Sequence, residues 1–278
     1  MSGVPHKPIR LIVTDLDGTL LDSAHEVLPR TEAAIRAAQA PGVAFTVATG
    51  KTFPSTVALI ERFGIRLSVI CGNGTSVHDT SGNVLYEDPI PTDLAVEAVH
   101  FAAEHAMTPV FYVAGGLLAP VWDANVDVLV DHHEPPPEIV PDLAPALRDG
   151  YRPHKIILMN QDLAKVSAFK KLLEARFAGR GQVIRSGLAE VVELLPRGVS
   201  KATALRRILD RTGIGADETI TFGDNSNDLA MIQIAGIGVA MSTSPAFIQD
   251  AADFVTASND EDGVALALER FVLAHAQN

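Results

Sequence analysis

Short apolar runs rich in β-branched residues recur along this chain, and polar residues gather where the runs stop. Ile9-Arg10-Leu11-Ile12-Val13-Thr14 is the first of them. Its apolar character has almost no in–out alternation, which predicts a central strand buried in a parallel sheet. Residues 43–48, 67–71 and 218–222 repeat the texture, and 235–240 and 252–255 add shorter pieces. Helical stretches lie between them. Residues 31–40 are Ala-rich and stop at Pro41-Gly42. Pro54 opens another helix where its missing N–H costs nothing. Ser200 is a good cap for 202–211, 229–234 follows a polar turn, and 260–275 is amphipathic.

The middle of the chain has a different texture. Residues 76–79 and 84–86 alternate around Ser81-Gly82-Asn83 and predict a hairpin. Pro89 and Pro91 then mark a boundary, and Thr92 is the expected cap of a helix running to His105. Strands are expected at 109–113, 117–122, 155–159, 182–185 and 190–195, with a helix at 162–177. The polar, proline-rich segment 131–138 reads as a solvated surface loop. Its His132, His133 and Glu134 are ligand types, but no second ligand pair lies at zinc spacing. Two strand–helix–strand passes make a small α+β insert. The fold class expected is therefore α/β. A Rossmann-like parallel-sheet core covers 1–86 and 188–278, and an inserted α+β domain covers 87–187. Two crossings of that boundary, near Tyr86 and Gly187, suit a hinged lid.

Composition narrows the class. The chain has 278 residues, 47% of them hydrophobic, enough for a full core and two domains. A formal net charge of −12 argues against a nucleic-acid surface and requires a local positive site for any anionic substrate. A single cysteine, Cys71, excludes an internal disulfide framework. Residues 1–8 carry no apolar leader, and no apolar run reaches membrane-spanning length, so a soluble cytoplasmic protein is expected. No G-x-G-x-x-G follows the first strand, which disfavours a dinucleotide enzyme.

The residues at the strand ends carry the chemistry. Asp15 and Asp17 follow the first strand as the chain turns at Gly18, and ligands of open α/β sheets bind at that carboxyl edge. Two close carboxylates repel and need a cation or a shared proton; their hard oxygens suit Mg2+. Thr49-Gly50-Lys51-Thr52 ends the second strand and forms an anion-binding corner or an ordinary turn. Asn73 ends the third, where its amide faces substrate or Asn-Gly simply turns the chain. Lys201 stands in the first turn of a helix, against the dipole, which implies a nearby anion. Gly223-Asp224-Asn225-Ser226-Asn227-Asp228 places two more carboxylates at a strand-to-helix turn.

In this order the string Asp15-Leu16-Asp17-Gly18-Thr19-Leu20-Leu21-Asp22, then Thr49, Lys201 and Gly-Asp224-x-x-Asn227-Asp228, resembles the four motifs of the haloacid dehalogenase superfamily of phosphohydrolases. The match covers 9–22 and 198–231. The insert after the third strand, with Asn73-Gly74 and Gly-Val-Ser-Lys, looks like the Cof-type subfamily with a subclass IIB cap. The resemblance implies a Mg2+-dependent phosphatase of small phosphorylated metabolites, such as sugar phosphates, working through an aspartyl-phosphate. Asp15 would be the nucleophile and Asp17 the general acid, then base. Lys201 would screen charge. Mg2+ would be held by Asp15, the Asp17 backbone carbonyl and Asp224, with Asp228 orienting the metal shell or Lys201. Thr49 and Asn227 would meet the phosphoryl group or a metal-bound water, and Gly50, Lys51 and Asn73 would line the phosphate or substrate site. His154, Lys155 and the 131–137 loop are the expected readers of the leaving group. The superfamily usually has Arg where Lys51 stands, so a bidentate fork is lost there. Ala202 replaces a usual Gly, and Thr75 a usual Ala. A phosphomutase-type transferase on the same fold is the alternative enzyme. A non-catalytic metabolite-binding regulator would be marked by loss of Asp15, Asp17, Lys201 or Asp224, and all four are present. The expected partner is a small phosphorylated metabolite, with neither nucleic acid nor membrane, for a monomer or homodimer.

Overall fold

The computed structural model describes residues 7–148, 150–185 and 187–274. Residues 1–6, part of the segment read as lacking a leader, and His275, expected to close the last helix, lie outside them. In chain order the elements are β1 (Leu11–Thr14), α1 (Pro29–Gln39), β2 (Ala44–Val47), α2 (Val57–Phe63), β3 (Val69–Cys71), β4 (Ser76–His78), β5 (Val84–Glu87), α3 (Thr92–Glu104), β6 (Thr108–Val113), β7 (Gly116–Ala119), α4 (Ala124–Asp131), β8 (Glu138–Ile139), α5 (Leu143–Ala146), β9 (Lys155–Met159), α6 (Leu163–Arg176), β10 (Gly181–Ile184), β11 (Val191–Pro196), α7 (Lys201–Thr212), β12 (Thr219–Gly223), α8 (Leu229–Ile234), β13 (Ile237–Ala240), α9 (Ala246–Gln249), β14 (Phe254–Val255) and α10 (Gly263–Leu268). Among the described residues, no helix is long and apolar enough to cross a membrane.

These elements separate into two compact units. The first holds the described residues up to Thr49, then Leu59–Ile70, then those from Ser200 onward; the second holds Gly50–Ala58 and Cys71–Val199. The second takes in more chain than the expected 87–187, for a physical reason. The Gly50–Ala58 loop and the β4–β5 region bond to the insert: Lys155 Nζ donates to the Gly50 carbonyl at 2.8 Å, Asn73 Nδ2 to Glu193 Oε2 at 2.8 Å, and Thr52 Oγ1 to Glu134 Oε2 at 2.8 Å.

In the first unit one sheet runs β14-β13-β12-β1-β2, with every pairing parallel. β1 lies between β12 and β2 in register Leu11↔Thr219 and Leu11↔Ala44, so both its faces are buried, as its unbroken apolar run requires. α7 begins with a capping box in which Ser200 Oγ accepts from Thr203 N and Thr203 Oγ1 accepts from Ser200 N. The expected single C-terminal helix is α10 followed by a π-helical turn at Glu269–Leu273.

In the second unit a six-stranded sheet runs β10-β11-β9-β6-β7-β8, antiparallel except between β7 and β8. Leu94, Ala98, Phe111, Ile156, Phe169 and Leu194 belong to the core on one face, where α3 and α6 pack. Val110, Tyr112, Val126, Leu129, Ile157 and Val191 form the other, where α4 packs. Residues 124–131 were not expected to be helical. Asp123 caps them, accepting from the backbone N–H of Asn125 and Val126. The solvated-loop reading of 131–138 fails at Glu134, which is 6% exposed and fully engaged by donors.

Candidate active site

β1 delivers Asp15 to the carboxyl edge of the first unit's sheet, and neighbouring β12 delivers Asp224 to the same edge. Gly18 makes their approach possible. It has φ +78°, and a Cβ there would lie 2.8 Å from Asp224 Oδ2. Thr19 Oγ1 donates to Asp224 Oδ1 at 2.9 Å. α7 aims Lys201 inward, and its Nζ lies 2.7 Å from both Asp15 Oδ1 and Asp228 Oδ1. The other oxygen of Asp228 accepts from the backbone N–H of Asp224 (3.2 Å) and Asn225 (3.1 Å). Asp228, at the start of α8, is therefore held by Lys201 and the turn.

The electrostatics of this cluster are unbalanced. Asp15, Asp224 and Asp228 offer oxygens that all lie within 4.8 Å of one another, against one ammonium. Burial, and then the charges of Asp228 and Asp224, push the Asp15 carboxyl well above its ordinary range, with Lys201 pulling the other way. Burial and Asp228 raise Asp224 to about 6. Burial alone would lower Lys201, but Asp15 and Asp228 outweigh it and hold the ammonium above its ordinary value. The site thus carries excess negative charge that a divalent cation with hard oxygen ligands would relieve, so the donor set fits Mg2+.

Asp17 follows Asp15 by two residues and lies 3.5 Å, Oδ1 to Nδ1, from His25. Thr49 is fully buried and its backbone N–H donates to Ile70 O at 2.9 Å. Asn227 lies in the turn before α8, half-buried. These residues, with Asp15, Lys201, Asp224 and Asp228, belong to the first unit.

Gly50, Lys51, Asn73 and His154 belong to the second. Lys51 Nζ donates to the His132 carbonyl. Asn73 has φ +62° and turns its amide to Glu193. Lys155 Nζ lies 3.3 Å from Glu193 Oε2 and 3.9 Å from the centre of the Tyr112 ring. Glu134 accepts from Thr52 N, Thr52 Oγ1, Ser55 Oγ and Tyr112 Oη. His154 Nε2 sits 2.9 Å from Glu87 Oε2 beside a cavity of about 440 Å3 lined by Arg152, Tyr151 and Gly116. Sequence reasoning missed Thr19, His25, Tyr112 and Glu193 as participants, and read Glu134 as part of a solvated loop. Thr19 alone had a local signal, a hydroxyl two residues beyond Asp17 at the same strand end.

A family model described as haloacid dehalogenase-like hydrolase matches residues 12–268. The chain belongs to that family. It is 30% identical to phosphatase YwpJ of Bacillus subtilis over 92% of this chain and 98% of that one. It is 26% identical to pyridoxal phosphate phosphatase YbhA of Escherichia coli over 96% and 98%. A haloacid dehalogenase-like hydrolase structure from Bacteroides thetaiotaomicron superposes with TM-score 0.84 at 28% identity, covering 94% of this chain and 99% of that one. The haloacid dehalogenase resemblance and the α/β fold read from the sequence both hold, and the chain is a phosphatase of this family, a phosphoric monoester hydrolase.

Proposed function

We propose that the chain is a Mg2+-dependent phosphatase of small phosphorylated metabolites that works through an aspartyl-phosphate on Asp15. The observation that carries this reading is the buried ammonium of Lys201 held equally by Asp15 and Asp228, with Asp224 beside them. Asp15 attacks phosphorus as the ester P–O bond breaks, and Asp17 gives its proton to the departing oxygen. Asp17 then takes a proton from the water that attacks the acyl-phosphate, which releases phosphate and restores Asp15. Lys201 screens the repulsion between Asp15 and the incoming phosphate, while Asp228 fixes the Lys201 ammonium. Thr49 and Asn227 are the hydrogen-bonding partners of the phosphoryl oxygens. Mg2+ would be held by Asp15, Asp224 and the Asp17 backbone carbonyl, with Asp228 behind them, and would neutralise phosphate charge during transfer.

The second unit occupies the stretch of chain where Cof-type members carry a subclass IIB cap, and we assign it the selection of the leaving group. Sugar phosphates are the substrate class we favour, acted on in the cytoplasm by a monomer or homodimer. Phosphate release from p-nitrophenyl phosphate and a panel of sugar and cofactor phosphates, with Mg2+ and with EDTA, tests the reading. Turnover should need Mg2+ and vanish in Asp15→Asn while that variant still folds. Hydrolysis that survives EDTA, or an active Asp15→Asn enzyme, would overturn it.

A further inference from the structure

We propose that His25 is a positioning residue for Asp17, holding one oxygen of its carboxylate so that the other carries the proton in phosphoryl transfer. The inference rests on the reading of Asp17 as general acid and base.

The loop after β1 is built around this placement. Asp22 N donates to Glu26 O at 2.9 Å and His25 N to Asp22 O at 3.0 Å. Asp22 Oδ1 accepts from the backbone N–H of Ala24 and Glu26, both at 2.9 Å. The loop is pinned from outside as well. Ser23 N and Oγ donate to the Asp260 carboxylate at 2.7 and 2.6 Å, and Asn259 Nδ2 donates to Leu21 O at 2.9 Å.

At the tip, His25 has φ +59°, in the left-handed region where glycine is the unstrained choice. A histidine kept in that conformation by so many bonds is strain retained for a use of the side chain. That side chain reaches Asp17: Nδ1 lies 3.5 Å from Oδ1, and both atoms are shielded from solvent. Catalytic hydrogen bonds are often long before substrate binds and tighten in the complex.

In the first half-reaction the bond from Asp15 to phosphorus forms and the ester P–O bond breaks, while the proton passes from Asp17 Oδ2 to the departing oxygen. In the second, Oδ2 takes a proton from water as the water oxygen bonds to phosphorus and the Asp15–phosphorus bond breaks. A His25 hydrogen bond to Oδ1, closing from this 3.5 Å approach when substrate binds, would keep the carboxylate from rotating between the two halves.

The test compares two leaving groups. p-Nitrophenolate departs without protonation, whereas a sugar alkoxide needs the proton. His25→Gly removes the side chain and suits φ +59°, so its melting temperature should equal or exceed wild type. Its kcat/KM should fall about tenfold or more for a sugar phosphate, a fraction of the full general-acid effect, and by less than about threefold for p-nitrophenyl phosphate. His25→Asn, which tolerates the left-handed conformation and restores a donor, should recover most of the loss. Equal losses on both substrates, or no loss on either, would overturn the proposal. Asp17→Asn is the control. If it too shows no leaving-group dependence, the assignment of Asp17 fails and the role of His25 falls with it; if it does and His25→Gly does not, only His25 is misassigned.

Discussion

Each unit buries a cluster of charged residues, and the two clusters are built on opposite principles. In the first, Asp15 and Asp228 share the ammonium of Lys201, with the Asp224 carboxylate beside them. In the second, Lys51 and Lys155 are buried with Glu134 and Glu193, and every one of these groups has partners of the complementary kind. Glu134 is met by three hydroxyls and a backbone N–H, Glu193 by Lys155 and Asn73. Buried charge normally persists only when paired and hydrogen-bonded. The second cluster obeys this rule with its charges balanced and organises loops. In the first each carboxylate also has a partner, but three carboxylates gather at one ammonium, and groups whose protonation is disturbed by burial and like charge mark functional sites.

The strongest way to break this comparison is to remove the cation of the unbalanced cluster. Lys201→Met leaves three carboxylates around an apolar side chain. We expect turnover to disappear and the metal-free protein to lose about 3–5 kcal/mol in urea unfolding, the usual cost of stripping one partner from a buried ion pair. Mg2+ should restore part of that stability, because it replaces the missing positive charge. A variant with wild-type turnover would show that Lys201 is only structural.

The balanced cluster should answer differently. Glu134→Gln keeps the size of the side chain but turns one of its acceptor oxygens into a donor amide, facing hydroxyls and the Thr52 N–H. The expected cost is about 1–3 kcal/mol, with kcat of the folded molecules within a few-fold of wild type. Unfolding and steady-state assays on one preparation separate the two effects. Unchanged stability with a collapsed kcat would move Glu134 from the scaffold to the chemistry and erase the contrast.

Local sequence revealed one cluster far better than the other, and the reason is geometric. Asp15, Asp17 and the Asp224–Asp228 turn stand directly after apolar strands, so a strand assignment alone carries them to the sheet edge. Lys201 betrayed itself by standing against a helix dipole. The balanced cluster has no such address. Asn73 and Glu193 are 120 positions apart, and Thr52 and Glu134 82 apart, so neither pair leaves a periodic or spacing signal. Glu134 sits among prolines and histidines and was expected in solvent. α4 was missed because its short apolar stretch, Val126-Asp127-Val128-Leu129-Val130, is β-branched and helix-neutral, and packing on the sheet decided its state. His25 escaped notice because only its backbone angle and its distance to Asp17 set it apart.

The smallest expected effect concerns a second kind of burial in the second unit, that of a group kept neutral. Burial lowers the His154 pKa below its ordinary 6.5, and Arg152 adds to this, against the hydrogen bond to Glu87 that favours the charged form. Above pH 6.5 the imidazole is neutral in both folded and unfolded chains, and its linkage contribution is flat. As pH falls below 6.5 the unfolded chain takes the proton first, so stability declines until the folded-state pKa is passed. One group cannot exceed a slope of about 1.4 kcal/mol per pH unit. His78, lowered chiefly by burial and also by the charge of His154, contributes a slope of the same sign. Melting curves between pH 7 and 5 should therefore show a shallow acid decline that is reduced but not abolished in His154→Gln. A steeper decline in that variant would mean that the Glu87 bond outweighs burial and that His154 is folded in its charged form. The second unit would then rely on a paired charge at this position as well.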